Sequence, residues 1–522
     1  MTDQPEPAEV KLGGAQGRPP SLLDAVIPVV ALIALIALSV YLFGLDATNG
    51  PLQVALFTAM TVAALIAHKN GYSYPAIGDA VIGGISTALG AIFILLAVGA
   101  LIGVWNMSGT IPTIVDYGIR LLSPNWFYAA VAVICAITGS VTGSSWTTSG
   151  TLGVAFVGMA HIIGVSPEVT AGAVIAGGYF GDKMSPLSET TILVPSLVAG
   201  GETTGQHIRE MIWTVGPSFA ISLVIFLIMS LTETVSSTSS EVDQARAILG
   251  QTFNISIINL LPLVLLVFFS IRKFPAFLSI FLTTLFSGIL AAFTQHDLVV
   301  KFANDPGLST PFAVAKGIYA AMATGYVSNS GYPAVDTLFS RGGMASMMST
   351  VWLILGALGF GAVMERAGFL DRLVHGVINK AKSGGELVAT VIGTAIGLNI
   401  IAADQYIAIV LPSRTFRLEF KRRGYKPGVL SRVVEDSGTV TSVLIPWNSC
   451  GAYHTGVLGI STFDYAPYCF FNIINPIISL IYGFAGIRME KYGPGEAPPD
   501  EEGAVPLIEV KDATPQPVGE MT

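Results

Sequence analysis

Long stretches without charged residues alternate along the chain with short polar segments. A bilayer core about 30 Å thick is crossed by about 20 residues of helix. Ten uncharged stretches approach or exceed that length, at residues 25–45, 51–67, 80–115, 121–160, 211–232, 247–271, 274–295, 342–364, 387–403 and 465–487. The pattern predicts an all-α integral membrane protein with about 10–12 spans.

Two of these stretches exceed one span. Residues 80–115 are expected to hold one helix followed by an end that contains glycine and proline. Within 121–160, residues 138–145 (TGSVTGSS) form a poor helix interior, because glycine and short hydroxyl side chains disfavour helix. We therefore expect a hairpin that enters the membrane, unwinds and returns.

Basic loops predict the orientation of the chain, because short loops rich in lysine and arginine stay on the cytoplasmic side of a membrane. The loops predicted to be cytoplasmic contain Lys69, Arg209, the pair Arg272 and Lys273, and residues 414–426. The weakly basic segments, predicted to lie outside, are 45–50, 232–246 and 295–311. This orientation places both termini in the cytoplasm.

The composition agrees with a membrane protein. Of 522 residues, 52% are hydrophobic and 11% are charged, whereas soluble domains carry about 25% charged residues. Much of the net charge of −8 lies in residues 490–522, which hold eight acids and two lysines. We predict disordered cytoplasmic tails at residues 1–20 and 488–522. The chain has no basic stripe suited to nucleic acid, so the lipid bilayer is the expected partner.

An internal repeat is suggested by glycines that recur 259 residues apart. Gly83 and Gly84 match Gly342 and Gly343, and Gly109 matches Gly368. The same offset carries Ser145 to Asp404, inside a second chain break at residues 398–405 (LNIIAADQ). The predicted loops give the two copies opposite directions across the membrane. We therefore expect two inverted repeats with re-entrant hairpins and broken transmembrane helices, an architecture that supports alternating access.

The repeats predict a division of the chain. The segments are an N-terminal tail (1–20), N-terminal scaffold spans (21–75), transport repeat 1 (76–210), connecting scaffold spans (211–311), transport repeat 2 (312–487) and a C-terminal tail (488–522). The scaffold spans 25–45 and 247–295 are candidates for a homodimer interface.

The first polar cluster, residues 177–191, separates two apolar half-helices at 169–181 and 190–200. Asp182 supplies a carboxylate there, and Ser185, Ser188 and Thr190 supply hydroxyls. A carboxylate held away from water accepts a proton more readily, so one such site can carry either a proton or a cation. A simple ion pair between Asp182 and Lys183 at a helix end is the structural alternative.

The second cluster is expected to be the symmetry mate of the first. Residues 435–441 (EDSGTVT) open an apolar run with two adjacent carboxylates, which are rare in lipid. Residues 446–449 (PWNS) follow and add Asn448 and Ser449. The alternative is an acidic helix start at a cytoplasmic loop, which suits Glu435 better than Asp436.

The two chain breaks add further polar groups. Thr142 and Ser145 lie at the first break, and Asn399 and Asp404 at the second. Asp404 has no basic neighbour in sequence, and a lone intramembrane aspartate is by default a functional residue. Asp336 lies close to Arg341, which favours a structural ion pair between them.

Several functional classes lack their sequence signatures. The chain has no G-x-x-x-x-G-K-[ST] loop for ATP and no H-E-x-x-H zinc motif, which argues against a primary pump and an intramembrane protease. It has no T-V-G-Y-G filter of the kind found in potassium channels. We expect neither an enzyme nor a cofactor.

Residues 181–191 (GDKMSPLSETT) resemble the NhaC family of sodium/proton antiporters, within the wider ion transporter superfamily. Supporting stretches are 142–148 (TGSSWTT), 328–332 (SNSGY), 340–344 (SRGGM) and 446–449 (PWNS). The resemblance runs from about residue 20 to residue 490. It implies a two-repeat fold with re-entrant hairpins, in which each repeat pairs a scaffold with a moving transport unit. Glu189 stands where the family has aspartate as commonly.

The sequence therefore predicts a secondary transporter of the bacterial inner membrane that exchanges sodium, or another monovalent cation, for protons. The alternative is a sodium-coupled transporter or exchanger of an amino acid or small carboxylate. The predicted binding residues are Thr142, Ser145, Asp182, Ser185, Ser188, Glu189, Thr190, Asn399, Asp404, Asp436, Ser437, Thr439, Asn448 and Ser449. The predicted sodium site within this set comprises Ser145, Asp182, Asp404 and Asp436.

Overall fold

The computed structural model describes residues 17–198, 202–378 and 381–493. Regular structure in these ranges is helical, apart from one isolated antiparallel bridge between Tyr425 and Lys491. The all-helical class is therefore confirmed. Most of the two predicted tails, residues 1–16 and 494–522, lies outside the described residues.

The first ten helices cover the N-terminal third of the chain. They are α1 (Leu22–Phe43), α2 (Pro51–Lys69), α3 (Tyr74–Thr87), α4 (Leu89–Met107), α5 (Thr110–Leu121), α6 (Phe127–Thr142), α7 (Ser145–Thr148), α8 (Val154–Ile163), α9 (Pro167–Lys183) and α10 (Glu189–Val198). A π-helical turn, Ser149–Gly153, joins α7 to α8.

The described residues from 202 to 339 form seven α-helices. They are α11 (Thr204–Thr232), α12 (Ser239–Thr252), α13 (Leu261–Ile271), α14 (Ala276–Thr294), α15 (His296–Ala303), α16 (Thr310–Ala323) and α17 (Pro333–Phe339).

The described residues after 347 form eight α-helices. They are α18 (Met348–Arg366), α19 (Phe369–Ile378), α20 (Gly384–Ile401), α21 (Gln405–Arg422), α22 (Pro427–Val434), α23 (Ser449–Leu458), α24 (Thr462–Tyr465) and α25 (Phe470–Ala485). A second π-helical turn, Glu435–Thr439, follows α22.

Eight helices among the described residues are long and apolar enough to cross a membrane, and two bent pairs raise the number to ten. The first bent pair turns by 89° between Ser239–Thr252 and Ile257–Ile271, and the second by 55° between Thr462–Tyr468 and Phe470–Ala485. The count meets the lower end of the expected 10–12. Several apolar stretches divide into helices too short to be counted by length.

The stretch 80–115 divides differently from the expectation of one helix with a broken end. Its first part belongs to α3, which stops before Ala88, and a second break follows at Gly109. Near the end of α3 the hydroxyl groups of Ser86 and Thr87 donate to the carbonyls of Gly83 and Gly84. Such local bonds compete with the helical hydrogen-bond ladder and favour a helix end.

Helix boundaries recur at a nearly constant spacing. Gly109 and Gly368, 259 residues apart, both have left-handed backbone (φ 76° and 70°) between two helices. Gly143 and Ala403, 260 residues apart, are both left-handed (φ 67° and 56°) at the two breaks. The match of Gly83 and Gly84 with Gly342 and Gly343 is wrong in conformation, because the first pair is helical and the second lies in a positive-φ turn. The inverted orientation of the repeats stays a prediction.

Helices α6 and α9 pack backbone against backbone. A Cβ atom at Gly177 would lie 2.1 Å from the carbonyl oxygen of Ala132, and one at Gly181 would lie 2.3 Å from that of Ala136. Only glycine permits this approach, as in other closely packed membrane helices. The contact brings the end of α9 beside the first chain break.

The start of the predicted C-terminal tail is ordered. The backbone N–H of Lys426 donates to the carbonyl of Glu490, and that of Tyr492 donates to the carbonyl of Gly424. Lys491 lies over the ring of Tyr425, 4.8 Å from its centroid. Residues 488–493 therefore pack against the loop between α21 and α22.

Candidate functional site

A cavity of about 700 Å³ lies between two groups of helices. One wall comes from the two chain breaks and from the ends of α9, α10 and α23, and the other from α4, α13 and α14. The cavity is lined on the first wall by three carboxylates, those of Asp182, Glu189 and Asp404.

Asp182 lies at the end of α9, half-buried, and faces the start of α7. Its Oδ2 atom accepts the backbone N–H of Ser145 at 3.0 Å and the Ser145 hydroxyl at 2.8 Å. The N-terminus of a helix carries partial positive charge, which stabilises a carboxylate placed there. Asp182, on α9, therefore places its negative charge at the start of α7.

Asp404 holds the second break in a different way. It is the N-cap of α21, and its Oδ1 atom accepts the backbone N–H groups of Tyr406 at 2.8 Å and Ile407 at 3.1 Å. Its Oδ2 atom accepts the hydroxyl of Ser449 at 3.4 Å, which links the break to the start of α23. The second carboxylate thus comes from the break itself.

Ala403 has a left-handed backbone that alanine rarely adopts. Its carbonyl accepts the backbone N–H of Ser449 at 2.9 Å. Behind it, Asn448 Nδ2 donates to the carbonyl and side-chain oxygens of Asn399, both at 3.1 Å. Asn399 in turn donates to the carbonyl of Gly438 at 2.7 Å. These buried amides hold three segments in place around the strained residue.

Glu189 meets Tyr406 across the cavity wall. The phenol hydroxyl of Tyr406 donates to Glu189 Oε2 at 2.6 Å. Glu189 opens α10 and Tyr406 follows the second break, so this bond joins the two predicted repeats beside Asp182 and Asp404. Both side chains are exposed enough to reach solvent or a bound ligand.

Lys183 points away from the cavity into the protein. Its ammonium lies 2.7 Å from Asp436 Oδ1, and both side chains are fully buried. Asn475 Nδ2 donates to the same oxygen at 2.8 Å. The expected alternative pair of Asp182 with Lys183 is wrong, because neighbouring residues near a helix end point in different directions and Lys183 is bound to Asp436 instead.

Glu435 lies in the π-helical turn and is fully buried. Its Oε2 atom accepts the hydroxyl of Thr439 at 2.5 Å. The interpretation of Glu435 as an acidic cap at a cytoplasmic helix start is therefore wrong. That this second cluster is the symmetry mate of the first stays a prediction.

Half of the predicted binding residues line the cavity. They are Thr142, Ser145, Asp182, Glu189, Thr190, Asp404 and Ser449. The predicted residues that the structure places outside the lining are Ser185, Ser188, Asn399, Asp436, Ser437, Thr439 and Asn448. Of the predicted sodium site, Ser145, Asp182 and Asp404 come together, whereas Asp436 is held by Lys183.

The predicted pair of Asp336 with Arg341 is replaced by other contacts. Asp336 accepts the Ser328 hydroxyl at 2.8 Å and the backbone N–H groups of Ser330 and Gly331 at 2.6 and 3.1 Å. Arg341 donates to the carbonyl of Leu458 at 2.9 Å. The carboxylate stabilises a tight turn, for which nearby backbone donors suffice.

Tyr406 and Lys273 are among the lining residues that sequence reasoning missed. An aromatic hydroxyl two residues after an intramembrane aspartate is a local signal that could have identified Tyr406. Lys273 belongs to a loop more than 80 residues from Asp182 and carries no such signal.

A comparison with protein families matches residues 23–200 and 179–487 to the model of the Na+/H+ antiporter family. The Na(+)/H(+) antiporter NhaC of Alkalihalophilus pseudofirmus is 34% identical over 84% of this chain and 91% of its own length. The malate-2H(+)/Na(+)-lactate antiporter of Bacillus subtilis is 32% identical over 90% of this chain and 96% of its own. The arginine/ornithine antiporter ArcD of Halobacterium salinarum is 33% identical over 93% of this chain and 96% of its own. The chain is a multi-spanning membrane protein that belongs to the Na+/H+ antiporter family.

Proposed function

We propose that this protein exchanges sodium, or another monovalent cation, for protons across the bacterial cytoplasmic membrane. The observation that carries the proposal is one cavity in which Asp182 and Asp404 both face the interior, each at the start of a half-helix. Broken helices with charged ends at a shared cavity are a recurring solution for ion binding in transporters.

Competition between the two ions provides the coupling. An ionised Asp182 or Asp404 attracts a cation, and a protonated one has lost the charge that does so. Sodium and protons therefore exclude each other from the same oxygens. Each transport cycle moves sodium in one direction and protons in the other. The half-saturating sodium concentration should rise as the pH falls, by about tenfold per unit once both carboxyls are mostly protonated and one proton must leave.

Hard oxygen ligands for sodium surround the carboxylates. Hydroxyl groups of Ser145, Thr190 and Ser449 line the same cavity. The C-terminal ends of α6 and α20 carry partial negative charge, which also favours a cation. In this proposal the protein needs no resident cofactor, because the transported ions do the coupling.

A second candidate is the exchange of an organic cation, such as a cationic amino acid. The volume of about 700 Å³ exceeds the space that a sodium ion needs. Trp146 and Tyr406 line the cavity beside three carboxylates, and aromatic faces attract organic cations. A dicarboxylate fits less well, since Lys273 is the one basic side chain in the described lining.

Three further sequence predictions concern the orientation of the protein, its functional class and its oligomeric state. We propose that both termini are cytoplasmic, on the basis of the basic loops. We also propose that the protein acts as a transporter and not as an enzyme. A homodimer through the scaffold spans 25–45 and 247–295 stays a prediction.

Reconstitution in liposomes with an internal pH-sensitive dye tests the function. A sodium gradient alone should drive a proton flux in the wild-type protein, and Asp182→Asn should abolish it. A response that needs lysine, arginine or another organic cation in place of sodium would favour the second candidate. Silence towards every cation would contradict both.

A further inference from the structure

Lys273 is an exposed basic residue on the wall opposite the carboxylates. It lies in the turn between α13 and α14, and with its neighbours Ser270 and Phe274 it lines the cavity. Its backbone is left-handed (φ 58°), in a tight turn where its N–H donates to the carbonyl of Ser270 at 3.0 Å. The side-chain ammonium of Lys273 makes no hydrogen bond or ion pair with any residue that the structure describes.

Arg272, the preceding residue, takes a different direction. Its guanidinium carbon lies 5.7 Å from the ring centroid of Phe268, and the residue does not line the cavity. Of these two adjacent basic side chains, only Lys273 therefore contributes its charge to the cavity wall. Arg272 is a matched control for the charge of the loop.

We propose that Lys273 acts as a charge filter at the cavity, which makes the transporter select monovalent over divalent cations. The inference rests on the proposed cation exchange. A fixed positive charge on the wall raises the electrostatic potential in the cavity, and the energy of a cation of charge z changes by z times that potential. Asp182, Glu189 and Asp404 alone would attract a divalent cation more strongly than sodium, and Lys273 opposes this preference.

The expected effect follows from the charge. One positive charge on the cavity wall, partly screened by water and salt, should weaken sodium binding about threefold. A divalent cation feels twice the energy, so its binding should weaken by the square, about ninefold. Removal of the charge should therefore strengthen sodium binding modestly and divalent binding more.

The test compares Lys273→Gln, Lys273→Glu and Arg272→Gln with the wild-type protein. Sodium binding to the purified protein is measured by its thermal shift, which does not depend on orientation in a membrane. Calcium is then titrated as a competitor in the thermal-shift assay and in the sodium-driven proton flux of proteoliposomes.

Lys273→Gln should lower the half-saturating sodium concentration about threefold and the inhibition constant of calcium, corrected for the competing sodium, about ninefold, and Lys273→Glu should exceed both effects. Arg272→Gln should leave both values within about 1.5-fold of wild type. Unchanged values in both Lys273 variants, or equal shifts in Arg272→Gln, would overturn the filter while sodium-driven flux persists. A wild-type protein without sodium-driven flux would instead contradict the proposed function.

Discussion

The two chain breaks have the same backbone shape but different chemistry. At the first, Gly143 takes the left-handed conformation and the carboxylate arrives from α9 as Asp182. At the second, Ala403 takes that conformation and the carboxylate of Asp404 belongs to the break. Each break ends with a carboxylate bound to backbone N–H groups at a helix start. The position of the charge is retained, although the residue that supplies it differs.

The difference shows which property the site requires. Both halves place a negative group at the start of a half-helix, but the two groups come from different positions in the sequence. The first break can be built from glycine and serine because α9 packs closely enough to deliver Asp182. The second break supplies its own aspartate, and Asp436, in the turn after α22, is held by Lys183 instead.

The largest expected effect comes from removing either carboxylate charge. Asp182→Asn and Asp404→Asn keep an oxygen that accepts the same N–H groups, so both variants should fold. Each should reduce sodium-driven proton flux by about a hundredfold or more, since loss of a charged partner of a cation amounts to about 3 kcal/mol. Flux in proteoliposomes is the measurement.

Asp305→Asn is the matched control for that pair. Asp305 lies in an exposed loop, paired with Lys316 at 2.8 Å, outside the cavity lining. Normal flux in either Asp182→Asn or Asp404→Asn would show that the two breaks are not equivalent and that one carboxylate suffices.

The next largest effect, on stability, is expected when the two left-handed residues, Gly143 and Ala403, are substituted. In Gly143→Ala a Cβ atom would lie 2.7 Å from Leu187 Cβ, so this variant should lose about 2 kcal/mol or more of stability. Ala403→Gly relieves a strained alanine and should gain up to about 1 kcal/mol. Apparent melting temperatures in detergent measure both. A loss of stability in Ala403→Gly would mean that the strain there is absent.

Substitution of the serines beside the carboxylates should have a smaller effect on transport. The Ser145 hydroxyl donates to Asp182 at 2.8 Å, whereas the Ser449 hydroxyl donates to Asp404 at the longer distance of 3.4 Å. Ser145→Ala should therefore raise the half-saturating sodium concentration about fivefold, and Ser449→Ala about twofold. Sodium-dependent flux at fixed pH gives both values. The reverse order would show that the second break binds the cation more tightly.

The smallest effect is expected at the bond between the two halves. Tyr406→Phe removes a partly exposed hydrogen bond, which is worth about a factor of two in sodium affinity. Glu189→Gln also removes a negative charge from the cavity, so it should weaken sodium binding somewhat more, about threefold. The double variant should be no worse than Glu189→Gln alone, because the Tyr406 hydroxyl contributes through its bond to Glu189. Additive losses would show that Tyr406 and Glu189 act separately.

Local sequence signals were sufficient for the helix breaks and for two carboxylates of the cavity. Glycine and short hydroxyl residues mark the first break, a polar cluster between two apolar half-helices marks Asp182, and a lone aspartate in apolar surroundings marks Asp404. Charge and helix propensity act over a few residues, so they can be read along the chain. The ligand roles of these residues stay predictions.

Local signals could not predict the partners of polar residues that lie far apart in the sequence. Asp436 looked like a ligand because its partner, Lys183, is 253 residues away in sequence. Asn399 and Asn448 looked like ligands too, yet they bind each other and nearby carbonyls behind the cavity. A buried polar residue has to find some partner, and the sequence does not reveal whether that partner is an ion or the protein.

The buried pair of Lys183 and Asp436 also has a mechanical consequence. It joins the end of α9 to the turn after α22, and so fastens one predicted repeat to the other. Separating two fully buried charges costs about 3–5 kcal/mol, more than a freely sliding contact would allow. The two chain breaks should therefore travel as one rigid body, and any relative sliding should take place at the opposite wall, where α4, α13 and α14 face the cavity.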